Sequence, residues 1–159
     1  MQLFVREMDD IFAEEILNWS YDAPYDFYNN EFSVDARSEL LNNSYFAILD
    51  QQEELIGFFC IGESAKVPNG TYFSAYPQDY IDVGIGMNPM FTGKGLGLLF
   101  FSYILNHIRE VHGPCPIRLT VAAFNTRAIH LYEKLGFVKE MEFCQKEIVF
   151  KTMIRKLPR

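Results

Sequence analysis

Residues 80–105 read YIDVGIGMNPMFTGKGLGLLFFSYIL, and this stretch decides the fold. It opens as a strand over 80–87 that carries Gly84 and Gly86 in its interior. Glycine weakens a strand, so it marks a bulge or a close approach by another backbone or a ligand. Asn88-Pro89 ends the strand, because proline has no N–H to give the ladder. Thr92-Gly93-Lys94-Gly95-Leu96-Gly97 then runs directly into an apolar stretch that predicts a helix. A glycine-rich turn opening a helix offers unpaired backbone N–H groups and the positive end of the helix dipole. Such a turn suits a phosphate, preferably a pyrophosphate. The bland alternative is a strand-to-helix turn that binds nothing.

Spacing narrows the phosphate readings. A Walker loop requires Ser or Thr after its lysine, and Lys94 is followed by Gly95. A dinucleotide fingerprint requires Gly-x-Gly-x-x-Gly near the start of a βαβ unit, and Gly93-x-Gly95-x-Gly97 lies mid-chain with the wrong interval. A second stretch, NTRAIHLYEKLGF over 125–137, predicts a helix capped by Asn125 and stopped by Gly136, with Ala128, Leu131, Tyr132 and Leu135 on one face. Residues 92–97 resemble the acyl-CoA loop of the GNAT N-acetyltransferase superfamily, Gln/Arg-x-x-Gly-x-Gly/Ala. Thr92 stands where that family usually has Gln or Arg. Residues 125–137 match in full the family pattern Asn-x-x-Ala-x-x-Leu-Tyr-x-x-x-Gly-Phe. Both motifs come in the family's order, and the resemblance is close from about residue 80 to 138.

Composition agrees with one globular domain over 1–159: 49% of residues are hydrophobic and 16% aromatic. Twenty-one acidic against 14 basic residues leave a net charge of −7, which argues against nucleic acid or an anionic membrane as partner. The odd number of cysteines, Cys60, Cys115 and Cys144, without CxxC spacing, predicts reduced, buried thiols in a cytoplasmic protein. No signal peptide or membrane-spanning run is expected. The Asn-x-Ser/Thr triplets at Asn18, Asn42 and Asn69 therefore carry no glycosylation message.

In chain order, strands are expected at 2–6, 45–50, 55–62, 116–122, 137–143 and 148–154, with helices at 11–19 and 33–41. Residues 66–78, with Pro68, Asn69, Gly70 and Pro77, read as a loop. The segment 19–28 gathers Trp19, Tyr21, Tyr25, Phe27 and Tyr28; these rings either fold onto the core or wall an acceptor cleft, with Tyr25 and Tyr28 as the substrate contacts. The apolar residues of the helix after the loop cover most of its circumference, predicting a largely buried helix. This element order fits an α/β (α+β) mixed sheet flanked by helices. Exposed edge strands at the C-terminal hairpin leave room for a homodimer.

The resemblance implies more. The sheet would be mostly antiparallel, with two central strands splayed apart and acyl-CoA between them, Gly84 and Gly86 admitting the pantetheine arm. Met87 and Asn88 would contact pantetheine and acetyl through their backbone. Amides of Thr92, Gly93, Lys94, Gly95, Leu96, Gly97 and Leu98 would hold the pyrophosphate, with Lys94 adding a point charge and Asn125 touching CoA. The reaction would be direct attack of a small-molecule or peptide amine on the thioester of acetyl-CoA. Tyr132 would protonate the leaving thiolate. Asp82, on the same strand face as Gly84 and Gly86, is the first candidate for the base, although a structural carboxylate is its competing reading. No metal is expected, since His107, His112 and His130 lack zinc spacing. A non-catalytic acyl-CoA sensor or interaction domain is the alternative function, and a nucleotide-binding loop is a third.

Overall fold

The computed structural model describes residues 1–30, 32–73, 75–76 and 80–157. The chain forms a mixed α/β fold whose central sheet is mostly antiparallel and flanked by helices, with strand order β1-β2-β3-β4-β5-β7-β6. These strands are β1 Leu3–Glu7, β2 Tyr45–Asp50, β3 Leu55–Ile61, β4 Ile81–Met87, β5 Ile117–Ala122, β6 Val138–Gln145 and β7 Ile148–Arg155. The helices are α1 Asp10–Leu17, α2 Val34–Asn42, α3 Pro68–Tyr72, α4 Gly97–His112 and α5 Thr126–Lys134. Two compact units share them: Met1–Cys60 with Ile85–Gly97, and Ile61–Gly84 with Leu98–Arg159. Neither is a continuous stretch of chain, and β4 contributes residues to both.

In the first unit, β1 and β3 pair antiparallel with β2 from either side. Asp50 closes the β2–β3 turn: its Oδ1 accepts from the N–H groups of Gln52 at 2.9 Å and Glu54 at 3.0 Å. Side-chain caps start both helices. Asp9 accepts from the Phe12 N–H at 2.9 Å and Ser33 from the Ala36 N–H at 3.1 Å, caps worth about 1 kcal/mol each. The apolar faces of α1 and α2 bury Ala13, Ile16, Leu17 and Leu40 with Ala47, Leu49 and Leu55 of the strands.

In the second unit, β5 pairs antiparallel with β7 along its whole length, and β6 covers β7. β4 joins β5 in parallel through only two pairs, Ile81↔Ile117 and Asp82↔Arg118. The expected loop at 66–78 instead contains α3, which begins on Pro68, a residue suited to the first helical turn. Asn69 docks α3 on β6, its N–H donating to Gln145 Oε1 at 3.0 Å and its Nδ2 to the Cys144 carbonyl at 3.1 Å. Ser74, Pro77, Gln78 and Asp79 lie outside the described residues.

Two expectations change. Leu98 and Leu99 of α4 are exposed, and burial is confined to Phe100, Phe101, Ile104, Leu105 and Ile108, a single stripe at helical spacing. Only Cys60 is a buried thiol; Cys115 is half-buried and Cys144 exposed on β6. No helix among the described residues is long and apolar enough to cross a membrane.

Candidate active site

The loop at 92–97 has the backbone that its glycines predict. Gly93 and Gly95 sit at φ +71° and +75°, in the left-handed region where other residues are strained. A Cβ at Gly95 would meet nothing within 4 Å, so conformation, not crowding, selects glycine there. Thr92 anchors the loop by donating its hydroxyl to the Pro89 carbonyl at 3.0 Å. Gly93, Lys94 and Gly95 are exposed, and Leu96 and Gly97 half-buried. Lys94 makes no ion pair among the described residues and lies at the start of the 16-residue α4. Backbone in this conformation at a helix start can turn N–H groups toward a common ligand, with the helix dipole adding positive potential. Helix starts of this kind suit phosphate oxygens in general.

The end of β4 is held differently from expectation. The Met87 carbonyl accepts from the Tyr21 hydroxyl at 2.6 Å. The Asn88 N–H donates to the Ile56 carbonyl at 2.8 Å. The buried Asn88 side chain donates Nδ2 to the Leu55 carbonyl at 3.0 Å and accepts from the Met90 N–H at 3.0 Å. Asn88 is therefore a clamp on β3, and its N–H is committed within the protein rather than offered to a ligand. The reading of Gly86 also changes. A Cβ there would run into the Phe58 ring, its Cδ1 at 3.0 Å, so Gly86 makes room for a side chain of β3. Phe58 in turn stacks with Trp19 at 6.0 Å and tilts against Tyr45 at 6.0 Å. Tyr25 and Tyr28 lie on a 3-10 turn, Tyr25–Tyr28, and are half-buried; the Tyr28 ring meets Tyr21 edge-on at 6.5 Å.

On α5, Asn125 caps the helix by accepting from the Ala128 N–H at 3.1 Å. Tyr132 is 7% exposed, its ring edge-on to Phe101 at 5.3 Å and tilted on Phe137 at 6.2 Å. Gly136, at φ +90°, ends the helix and lets the Phe137 N–H return to the Tyr132 carbonyl at 3.0 Å. Asp82 is not presented as a base. Both its carboxylate oxygens accept from Arg118, at 2.7 Å from Nε and 2.7 Å from Nη2, and the pair is fully buried. Arg118 also lies over the rings of Tyr76 and Tyr80, at 5.0 and 5.3 Å. A carboxylate engaged bidentately by a guanidinium in this way is a structural anchor.

Residues 7–137 match the model of the Acetyltransferase (GNAT) family. The chain belongs to the GNAT family. A spermidine N(1)-acetyltransferase of Vibrio cholerae serotype O1 is 27% identical over 132 residues, covering 79% of this chain and 67% of that one. The crystal structure of spermidine N-acetyltransferase from V. cholerae in complex with CoA and spermine is similar with a TM-score of 0.74 and 25% identity, over 98% of this chain and 96% of that one. An acetyltransferase (GNAT family) from Bacillus anthracis shares the fold, with a TM-score of 0.74 at 16% identity over 98% and 95% of the two chains. The match to the GNAT family includes residues of both units and both glycine-bearing motifs.

Two residues of this GNAT chain escape sequence reasoning. Tyr21 stands among five aromatic residues at 19–28, and nothing in its spacing marks it as the one that reaches β4. Arg118 sits in an apolar strand, IRLTVA, which was the available signal: a buried charge in a strand demands a partner of opposite sign. Asp82 of β4 is that partner.

Proposed function

We propose that the 159 residues act as one acetyl-CoA-dependent N-acetyltransferase domain whose acceptor is the primary amine of a small molecule or peptide. The observation that carries this reading is the loop at 92–97, whose two left-handed glycines open α4 with an exposed lysine between them. Amides of Thr92, Gly93, Lys94, Gly95, Leu96, Gly97 and Leu98 would bind the pyrophosphate, and Met87 would contact the acyl arm. Acetyl-CoA supplies an activated thioester carbonyl and a thiolate leaving group. Tyr132 is the proton donor for that thiolate, and Asn125 borders the cofactor at the other end of α5. The amine's proton leaves to a group other than Asp82, through water at the acceptor side. Tyr25 and Tyr28 supply ring surface and hydroxyl acceptors for the amine. The likeness to spermidine acetyltransferases favours a polyamine as the first acceptor to try, and a net charge of −7 suits a polycation. The protein would act in the cytoplasm without a metal, as a monomer or a homodimer.

Thermal shift with acetyl-CoA, CoA, ATP and NAD, followed by turnover with spermidine and a peptide amine, tests the reading. Acetyl-CoA and CoA alone should raise the melting temperature by mass action. Tyr132→Phe should lower kcat by roughly 100-fold, the low end for general acid–base catalysis, with acetyl-CoA affinity within about twofold. A protein that binds acetyl-CoA but acetylates no amine is the acyl-CoA sensor. Stabilisation by ATP or NAD instead points to nucleotide binding.

A further inference from the structure

The end of β4 is gripped at three successive residues within the first unit. Phe58 fills the space above Gly86, Tyr21 takes the carbonyl of Met87, and Ile56 and Leu55 take the two N–H donors of Asn88. Two of these grips come from β3. The third comes from the irregular segment after α1, which closes on itself through the Tyr21 N–H donating to Asn29 Oδ1 at 2.7 Å. The Met87–Asn88 peptide is therefore held at both poles, its C=O by Tyr21 and its N–H by Ile56. At 2.6 Å the phenol bond is at the short end for O–H···O contacts.

We infer that Tyr21 is a positioning residue for the acceptor: its hydroxyl locks the Met87–Asn88 peptide and docks segment 19–29 on the end of β4, so that an amine held by that segment meets the acyl-bearing strand in one orientation. The inference rests on the proposed roles of Met87, Tyr25 and Tyr28. Burial pushes the Tyr21 phenol up to about 12, so the hydroxyl keeps its proton throughout the neutral range. With that one proton given to Met87, its oxygen only accepts from any further partner, the polarity that an amine N–H requires. Tyr28, edge-on to Tyr21, couples the same phenol to the expected acceptor contacts.

The test uses the full chain, wild type, Tyr21→Phe and Asn29→Ala, with three readouts. Initial rates with acetyl-CoA against spermidine and a peptide amine should show kcat/KM for the amine reduced roughly three- to tenfold in Tyr21→Phe, the range for one lost neutral hydrogen bond. The Kd for acetyl-CoA should stay within about twofold. Asn29→Ala, which loosens the segment and spares the hydroxyl, should shift the amine KM in the same direction by less. Amide exchange at Asn88 should accelerate by a similar three- to tenfold factor in Tyr21→Phe, with that of Ile104 in α4 unchanged. Unaltered Asn88 exchange overturns the inference whether or not an amine is turned over. So does an amine kcat/KM that falls only in step with acetyl-CoA affinity or melting temperature. A wild-type protein that neither binds acetyl-CoA nor acetylates an amine sinks the function, while the exchange result still judges the grip of Tyr21 on Met87.

Discussion

In its first half, β4 is held by a buried ion pair, Asp82 to Arg118, at the last of two parallel pairs with β5. In its second half, a phenol, an amide side chain and two backbone bonds secure Met87 and Asn88. The contrast has a physical reason. A buried ion pair contributes little net stability when intact but is costly when one partner is removed, so it enforces register at one place. Neutral hydrogen bonds of about 1 kcal/mol each position a backbone more gently. The two halves of one strand are thus held by different kinds of interaction.

The sharpest way to break this comparison is at the ion pair. Asp82→Ala should cost about 3–5 kcal/mol in urea unfolding, because Arg118 stays buried without this carboxylate. Replacing both by leucine should recover most of that loss, and activity should follow the folded fraction in every case. A variant that stays folded and loses only kcat would restore Asp82 as the base.

Gly86→Ala probes the second half by sterics. The new methyl meets Phe58, which is itself backed by Trp19 and Tyr45, so overpacking should cost about 1–3 kcal/mol. Phe58→Leu in the same chain should return part of it. If Gly86→Ala leaves stability intact and abolishes acetyl-CoA binding, the glycine serves the ligand after all.

Gly95→Ala tests the loop that follows. Space is available, so only the left-handed backbone resists, at about 1–2 kcal/mol. Calorimetry should find acetyl-CoA binding weakened by roughly tenfold, the equivalent of 1.4 kcal/mol. Unchanged affinity would remove the loop from the site.

The last test is in alkali. The Tyr21 phenol is raised in the folded chain to about 12 from the ordinary 10.0. Between those values the unfolded chain loses a proton that the folded chain keeps, so stability falls as pH rises from about 10 to 12. Tyr21→Phe should flatten that slope in denaturation curves taken across the window. A slope that does not change would mean that the phenol is not sequestered.

Much of this was legible because it is local. Asn125 was readable as a cap from one turn of sequence, and it caps through its own side chain. The loop glycines were readable because a left-handed backbone excludes most other residues. α3 was missed because Pro68 and Gly70 look like turn residues; Gly70 is small because the Tyr76 and Phe143 rings occupy the space of a side chain. The exposure of Leu98 and Leu99 is not legible, because composition alone does not say how wide a helix face its neighbours will cover.

By itself, the sequence determined the strands, the longer helices, the left-handed glycine loop and the GNAT family, since caps, left-handed glycines and hydrophobic period act over a few residues. The tertiary structure alone decided what Asp82, Gly86 and Met87 do. Their partners Arg118, Phe58 and Tyr21 lie 36, 28 and 66 positions away in the chain, and only folding brings such groups within bonding or van der Waals distance.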